Sequence, residues 1–488
     1  MGVLQLRGLV FGLVAATASA GTVSVPFSRQ RQAMTLSKRD GPVSIEALNN
    51  MTMGGYFAEF QVGTPPQTVQ FQLDTGSSDT WVNTPSTDLC RSDFLQAQMG
   101  YCLDTFDPDE SSSFESEEDG DFDISYLDGR QISGHYFNDT VTIGGAAIRN
   151  QQLGMAVNSV RPTGLMGLGF SSTVAADDMY PTIVDNLYTQ GHINSRAFSL
   201  YLNEIGSDSG TVLFGGIDSE KYIGDLAFLP LATDLGTGNS SEIQIWAVGI
   251  DGIRWLVDDE ERGTGADNGS YALLDSGATI SLLPTAFADS VMRHYDVRKI
   301  ELLNMGLVDC RWGGEEGRGQ GHEFDFVFDG KTIRVPMSEM VINAFSEEQL
   351  EVFDSSFAPS DLRRAYQDFE GRICLFGIES IADYGIEDDA LMILGDTFLR
   401  SAYVVYDMEN LELAIAQANV NQDRSNVIEI PANSTRIPRV SGVDEQTGGA
   451  RNNGDGNDDD DDESGSPQSM LPSLSLGLFA LISMALAL

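Results

Sequence analysis

Basic side chains are scarce in this chain: 28 Lys and Arg stand against 73 Asp and Glu, a formal charge of −45 over 488 residues. A surface that acidic repels nucleic acid and anionic membranes, which removes nucleic-acid binding, and it attracts basic peptides. Histidine is equally sparse. The four, His135, His192, His294 and His322, are scattered without a His-Glu-x-x-His pair, and the four cysteines make no Cys-x-x-Cys, so neither a metal nor a cofactor is expected. No serine-centred nucleophile elbow occurs either. Apolar runs are short: Leu9 to Ala16 and Leu474 to Leu488 both fall below the roughly 18 residues that a membrane span needs.

Glycine is plentiful, at 51 residues, and apolar residues make up 41 %, which points to short strands joined by many turns and a mainly β class. A chain of this length exceeds one ordinary core, so two lobes are expected. Arg7, the apolar stretch after it and the small residues Ala18, Ser19 and Ala20 read as a signal peptide over 1–20. Secretion follows from that, with disulfides among Cys90, Cys102, Cys310 and Cys374; three pairings are open, and the local one is preferred. Residues 21–39 end in Lys38-Arg39, a dibasic processing signal, so they read as a propeptide. Sequons begin at Asn50, Asn138, Asn239, Asn268 and Asn433, and glycosylation is expected at some of them.

The two lobes are assigned to 40–235 and 236–430, where period-two alternation such as Val69, Phe71, Leu73 marks strands. Pro181–Gln190 and Pro284–His294 read as short helices, each opened by a proline. Residues 431–466 lose the apolar pattern and carry an acidic run from Asp458 to Glu463, which gives a disordered Ser/Asp-rich stalk. The trio Ser464, Gly465, Ser466 followed by the apolar tail has the layout of a GPI-attachment signal over 467–488, with Ser464 as the attachment residue and a plain tail anchor as the alternative.

Chemistry concentrates in an internal echo. Phe71-Gln72-Leu73-Asp74-Thr75-Gly76-Ser77 is followed by Gly164-Leu165-Met166-Gly167, and Ala272-Leu273-Leu274-Asp275-Ser276-Gly277-Ala278 by Ile393-Leu394-Gly395-Asp396. One unit used twice gives two lobes related by a pseudo-twofold, whose matching loops meet between them. Two carboxylates brought together there cannot both ionise cheaply, so they share a proton and titrate as a pair. One member then serves as base toward a water while the other, protonated, polarises a carbonyl.

With these motifs the chain resembles pepsin-type aspartic proteases, for which such a shared proton is the standard example. Gly63-Thr64-Pro65-Pro66-Gln67, Asp74-Thr75-Gly76-Ser77-Ser78 with Trp81, Asp275-Ser276-Gly277 and Ile393 to Arg400 carry the likeness, across residues 50 to 418. The resemblance implies a mainly β, bilobal pepsin-like fold with a cleft between pseudo-twofold related lobes, and Asp74 and Asp275 as the catalytic pair. It implies that Thr75 and Ser276 lock the loops together and that Ser77 bonds Asp74. Ala278 departs from the hydroxyl residue common there. Ile124-Ser125-Tyr126 with Asp128 and Gly129 resembles the flap over bound peptide, Tyr126 being its tyrosine and Asp128 a residue that favours basic side chains; Leu127 departs from the usual glycine. The short propeptide, the acidic insert Asp104 to Asp123 and the tail resemble fungal yapsins, which implies a monomeric cell-surface endopeptidase that prefers basic residues before the cut bond. Its partners would be protein and peptide substrates, and a lipid anchor would hold it in the membrane, with the cell wall as the other residence. The insert reads equally as a solvated acidic loop.

Overall fold

The computed structural model describes residues 18–444 except 20, 30–54, 100–101, 128, 208, 233–243, 267–268, 301–304, 315–316, 346, 356–357 and 387–388. Asp128, the sequons at Asn50, Asn239 and Asn268, residues 1–17, Ser464 and the 467–488 tail therefore lie outside the described residues.

Alternation becomes strand wherever one or both faces are covered. Gln67–Asp74 is buried from Val69 onward, and it pairs on one side with Tyr56–Val62 and on the other with Gly164–Gly167. This strand belongs to a fourteen-stranded sheet that also takes in Ala402–Asp407 and Glu412–Ala418 from late in the chain. Those two strands run between Ala197–Tyr201 and Tyr222–Pro230, so the last part of the sequence is stitched to the first. Trp246 plugs the junction, 4.4 Å from the ring of Phe170 and 5.1 Å from that of Tyr406.

The echo in the sequence is an echo in topology. In the first half, Gln67–Asp74 lies parallel to Gly164–Gly167, which is crossed antiparallel by Thr80–Asn83. In the second half, Ser270–Leu274 lies parallel to Leu391–Leu394, which is crossed antiparallel by Ser281–Leu283. The fold is thus mainly β, with two lobes built on one repeated unit. Its glycines have a steric reason: a methyl on Gly167 would strike the backbone of Ser78, and one on Gly395 the carbonyls of Ala278 and Ile280.

Several details differ from the sequence reading. Thr22–Arg29, within the stretch assigned to a propeptide, is a strand between Ser209–Phe214 and Tyr56–Val62, with Val23, Val25 and Phe27 buried. At the other end the packed chain passes 430. Ile437 is fully buried and the Val443 amide donates to the Tyr222 carbonyl at 2.9 Å. The acidic insert runs into a strand, Glu115–Ser125, which turns Phe122 and Ile124 inward and Asp121 and Asp123 to solvent.

Both proline-led helices are present, as Ile183–Thr189, capped by Thr182 and Asp185, and Thr285–His294, where Pro284 itself holds the cap position. The cysteines pair locally, Cys90 with Cys102 and Cys310 with Cys374. Of the described sequons, Asn433 is exposed at a turn of φ 59°, and Asn138 is half-buried and donates to Glu117. Among the described residues no helix is long and apolar enough to cross a membrane, and no group of His, Cys, Asp and Glu could hold a metal ion.

Candidate active site

Each repeated unit delivers its aspartate at the end of a buried strand, and the two loops meet tip to tip. The Thr75 hydroxyl donates to the Leu274 carbonyl at 2.8 Å and accepts the Ser276 amide at 2.9 Å. In return the Ser276 hydroxyl donates to the Leu73 carbonyl at 3.1 Å and accepts the Thr75 amide at 3.2 Å. Four hydrogen bonds across a pseudo-twofold thus lock the loops, and each lies where water is excluded. The glycines set how closely the halves approach: a methyl on Gly76 would overlap the Asp275 carboxylate, and one on Gly277 would overlap Asp74.

The two carboxylates are fully buried and their surroundings are unequal. Asp74 accepts the Gly76 amide at 2.8 Å and the Ser77 hydroxyl, both of which favour an ionised carboxylate. Asp275 accepts the Gly277 amide at 2.8 Å, but Ala278 stands where Ser77 does in the other loop and supplies no hydroxyl. Burial first, and then the negative charge of Asp74, hold the Asp275 carboxyl well above the usual carboxylate range. Of the two, Asp275 is thus the carboxyl that its surroundings bias toward the protonated form.

The strands Glu115–Ser125 and Gln131–Ile143 form a hairpin whose turn carries Tyr126, within the field of Asp74. Tyr126, at its turn, is buried, and its hydroxyl accepts the Trp81 indole N–H at 2.8 Å. Trp81 lies on Thr80–Asn83, directly after the Asp74 loop, so one bond ties the hairpin tip to the strand that follows that loop. Gly129 turns the hairpin at φ 79° and its amide donates to the Tyr126 carbonyl at 2.9 Å. The predicted residues Asp74, Thr75, Gly76, Ser77, Trp81, Tyr126, Asp275, Ser276 and Gly277 therefore converge in one place.

Comparison with known proteins agrees with this geometry. The eukaryotic aspartyl protease family profile matches residues 55–418, which spans both aspartate loops. The chain belongs to that family. It is 32 % identical over 427 residues to the probable aspartic-type endopeptidase opsB of Aspergillus fumigatus, covering 86 % of this chain and 79 % of that protein. The acid protease of Saccharomycopsis fibuligera is 33 % identical over 389 residues, 78 % of this chain and 84 % of that one. Secreted aspartic protease 8 of Candida albicans is 30 % identical over 373 residues, 76 % and 77 % of the two chains. This aspartyl protease is a hydrolase of peptide bonds with protein or peptide substrates.

Sequence reasoning missed one buried residue beside the aspartyl protease site. Asp79 is fully buried two residues before Trp81, and it accepts the Tyr136 hydroxyl at 2.8 Å, the Tyr180 hydroxyl at 2.6 Å and the Ala175 amide at 2.7 Å. It joins the catalytic strand, the second hairpin strand and the loop before Ile183–Thr189. Burial nonetheless raises its carboxyl above the ordinary value, against the pull of those donors. In the second lobe buried Arg400 donates through Nε to the Glu339 carboxylate, and through Nη2 to the Glu339 carbonyl at 2.7 Å. Its charge is compensated there, which fixes the segment that follows Gly395.

Proposed function

We propose that this aspartic endopeptidase works through a water bound between Asp74 and Asp275, with Asp74 taking its proton while Asp275 donates to the peptide carbonyl. The observation that supports this reading is the inequality of the two loops: Gly76 and Ser77 both donate to Asp74, while Asp275 is buried beside Ala278, with its carboxyl raised. Tyr126 would close over the bound peptide, because its bond to Trp81 keeps its ring beside the first loop. Water is thereby excluded from the reacting bond. Asp74→Asn and Asp275→Asn should each lower peptide cleavage by at least about 100-fold, the usual reach of general acid–base catalysis, while leaving the melting transition in place. A folded variant that keeps near-normal turnover would overturn the assignment.

Secretion and surface display are proposed on the sequence: the leader over 1–20, the dibasic site at Lys38-Arg39, and the Ser464 layout ahead of 467–488. Removal of 467–488 should send active enzyme into the medium, and retention of the truncated protein on membranes would count against the anchor. The strand Thr22–Arg29 has a consequence for processing, since cutting after Arg39 leaves a fragment that still occupies the sheet. The preference for Lys or Arg before the cut bond rests on Asp128, outside the described residues, and on the charge of −45. That charge raises encounters with basic peptides, but its field is screened beyond about 8 Å at physiological salt and cannot choose one side chain. We therefore propose basic peptides as the class delivered to the cleft, with the choice at the cut bond made by the cleft wall.

A further inference from the structure

Beyond Ser133, which pairs with Asn158, the hairpin tip from Ile124 to Ile132 pairs only with itself among the described residues. Side chains therefore hold it to the lobe. Phe122, Ile124 and Ile132 pack with Trp81, Tyr136 and Tyr180 in an apolar cluster separate from the main core. Asp79, fully buried, lies against that cluster and gathers three elements. Its Oδ1 accepts the Tyr136 hydroxyl of the hairpin and the Tyr180 hydroxyl of the loop before Ile183–Thr189, and its Oδ2 accepts the Ala175 amide of the same loop. Its own carbonyl accepts the Gly167 amide at 3.0 Å, which fixes Asp79 to the strand that pairs with Gln67–Asp74. The rings of Tyr136 and Tyr180 meet edge to face with centres 5.6 Å apart, and Phe122 meets Tyr136 in the same way at 5.3 Å. Trp81, two residues on, makes the bond to the Tyr126 hydroxyl. The hairpin is thus tied twice to one short stretch, at its tip through Trp81 and at Tyr136 through Asp79.

We propose that Asp79 is a positioning residue of this protease: it clamps Tyr136 and Tyr180 to the strand that carries Trp81, and so holds the Tyr126 turn in the pose that receives the peptide. The proposal rests on the reading of Tyr126 as the cover over bound substrate, and Asp79 acts through that cover without touching the reacting atoms. The carboxyl group suits the place because its two oxygens offer acceptors to all three donors, whereas an amide of the same shape must turn its NH₂ toward one of them. A shared acceptor also makes the two tyrosines support each other. Without the clamp the tip spends part of its time away from the receiving pose, and the apparent affinity for peptide falls with the fraction that stays competent. Once peptide is bound, the Asp74 and Asp275 loops are as before, so the loss falls on KM and not on kcat. An acceptor that served packing alone would give the opposite pattern, less folded enzyme at an unchanged KM.

The test is kcat and KM of the purified enzyme on one peptide substrate, with melting curves as the check on folding. Tyr136→Phe and Tyr180→Phe each keep the ring and remove one hydroxyl, and Asp79→Asn keeps the shape and sets a donor against a donor. Tyr136→Phe and Asp79→Asn should each raise KM by about fivefold or more, the worth of one net hydrogen bond, with kcat within about twofold of wild type. In the double variant the two increases should fall short of their product, because both act on one acceptor. Should Asp79→Asn not fold, Tyr136→Phe with Tyr180→Phe supplies the same cycle. An unchanged KM in folded Tyr136→Phe overturns the proposal, and so does a fall in kcat at constant KM. Increases that multiply in full overturn it too. Tyr126→Ala with unaltered kcat and KM would instead sink the reading of Tyr126 as the cover, which keeps the two failures apart.

Discussion

Replacing Glu379 by Gln should flatten the dependence of this protein's stability on pH. Glu379 is buried in the strand Ile378–Ser380, where it accepts the Gly306 amide at 2.6 Å and the Tyr384 hydroxyl at 2.8 Å. Burial pushes its carboxyl up from 4.5 to about 7; Tyr384, Gly306 and Lys299 pull the other way, and Asp383, ion-paired with Lys299, pushes with burial. Because the folded value lies above the unfolded one, the folded chain holds a proton that the unfolded chain gives up across that window. The contribution is complete below the unfolded value of 4.5 and is lost as pH rises through about 7. A gap of about 2.5 units at about 1.36 kcal/mol each amounts to ~3 kcal/mol, or roughly 6 to 12 °C of melting temperature at the sensitivity of a 150–250-residue domain. Glutamine copies the protonated acid, since its carbonyl can accept the Gly306 amide while its NH₂ donates to the Tyr384 oxygen. Melting curves at about pH 4 and pH 7.5, both in an Asp74→Asn background to stop self-digestion, supply the comparison. Wild type should lose more on the way up than Glu379→Gln by that margin. Parallel losses would refute the reasoning, because every other titrating group is common to both.

The disulfides should differ in worth: Cys310–Cys374 closes 64 residues and Cys90–Cys102 closes 12, for which loop-closure entropy gives ~4 and ~3 kcal/mol. Cys310→Ser with Cys374→Ser should therefore lower the melting temperature more than Cys90→Ser with Cys102→Ser, and the reverse order would count against chain entropy as the main cause. Ser77→Ala removes a donor to Asp74 and should move the acid limb of the kcat/KM profile to higher pH. Ala278→Ser adds a hydroxyl next to Asp275 and should move the alkaline limb to lower pH. Each shift should be on the order of 1 to 2 units, the equivalent of one hydrogen bond to a charged group. Movement of the same limb in both variants would show that the loops are not unequal in the way described.

How far the sequence carried each conclusion follows from where the controlling interactions lie. The strand-turn units were legible because their constraints are local: Leu73-Asp74-Thr75-Gly76 and Leu274-Asp275-Ser276-Gly277 each contain the strand, the carboxylate, the locking hydroxyl and the glycine that permits approach. Repetition supplied what one copy could not, since two equal motifs imply that their loops face each other. The acidic stretch before Tyr126 misled for the same reason. Asp121 and Asp123 put their charge on the solvent face, and the inward pair Phe122 and Ile124 is too short a pattern to outweigh the run of acids. The strand Thr22–Arg29 also escaped, because its Val, Val, Phe face makes sense only against Ser209–Phe214, nearly two hundred residues away.

The residues that tune the site have no local signature at all. Asp79 looks like one more polar residue after a Ser-Ser pair, and only the arrival of Tyr136 and Tyr180 makes it a buried hub. Arg161 reads as a loop arginine before a proline until Tyr126 and Gln72 close around it. A motif of a few residues can specify that two carboxylates share a proton, because that depends on backbone geometry repeated in each lobe. The bias of that proton toward one carboxylate, by contrast, turns on a single position. Ala278 takes in the second loop the place that Ser77 has in the first. The pairing of the carboxylates is therefore carried by the repeated part of this fold, and their inequality by the place where the repeat is broken.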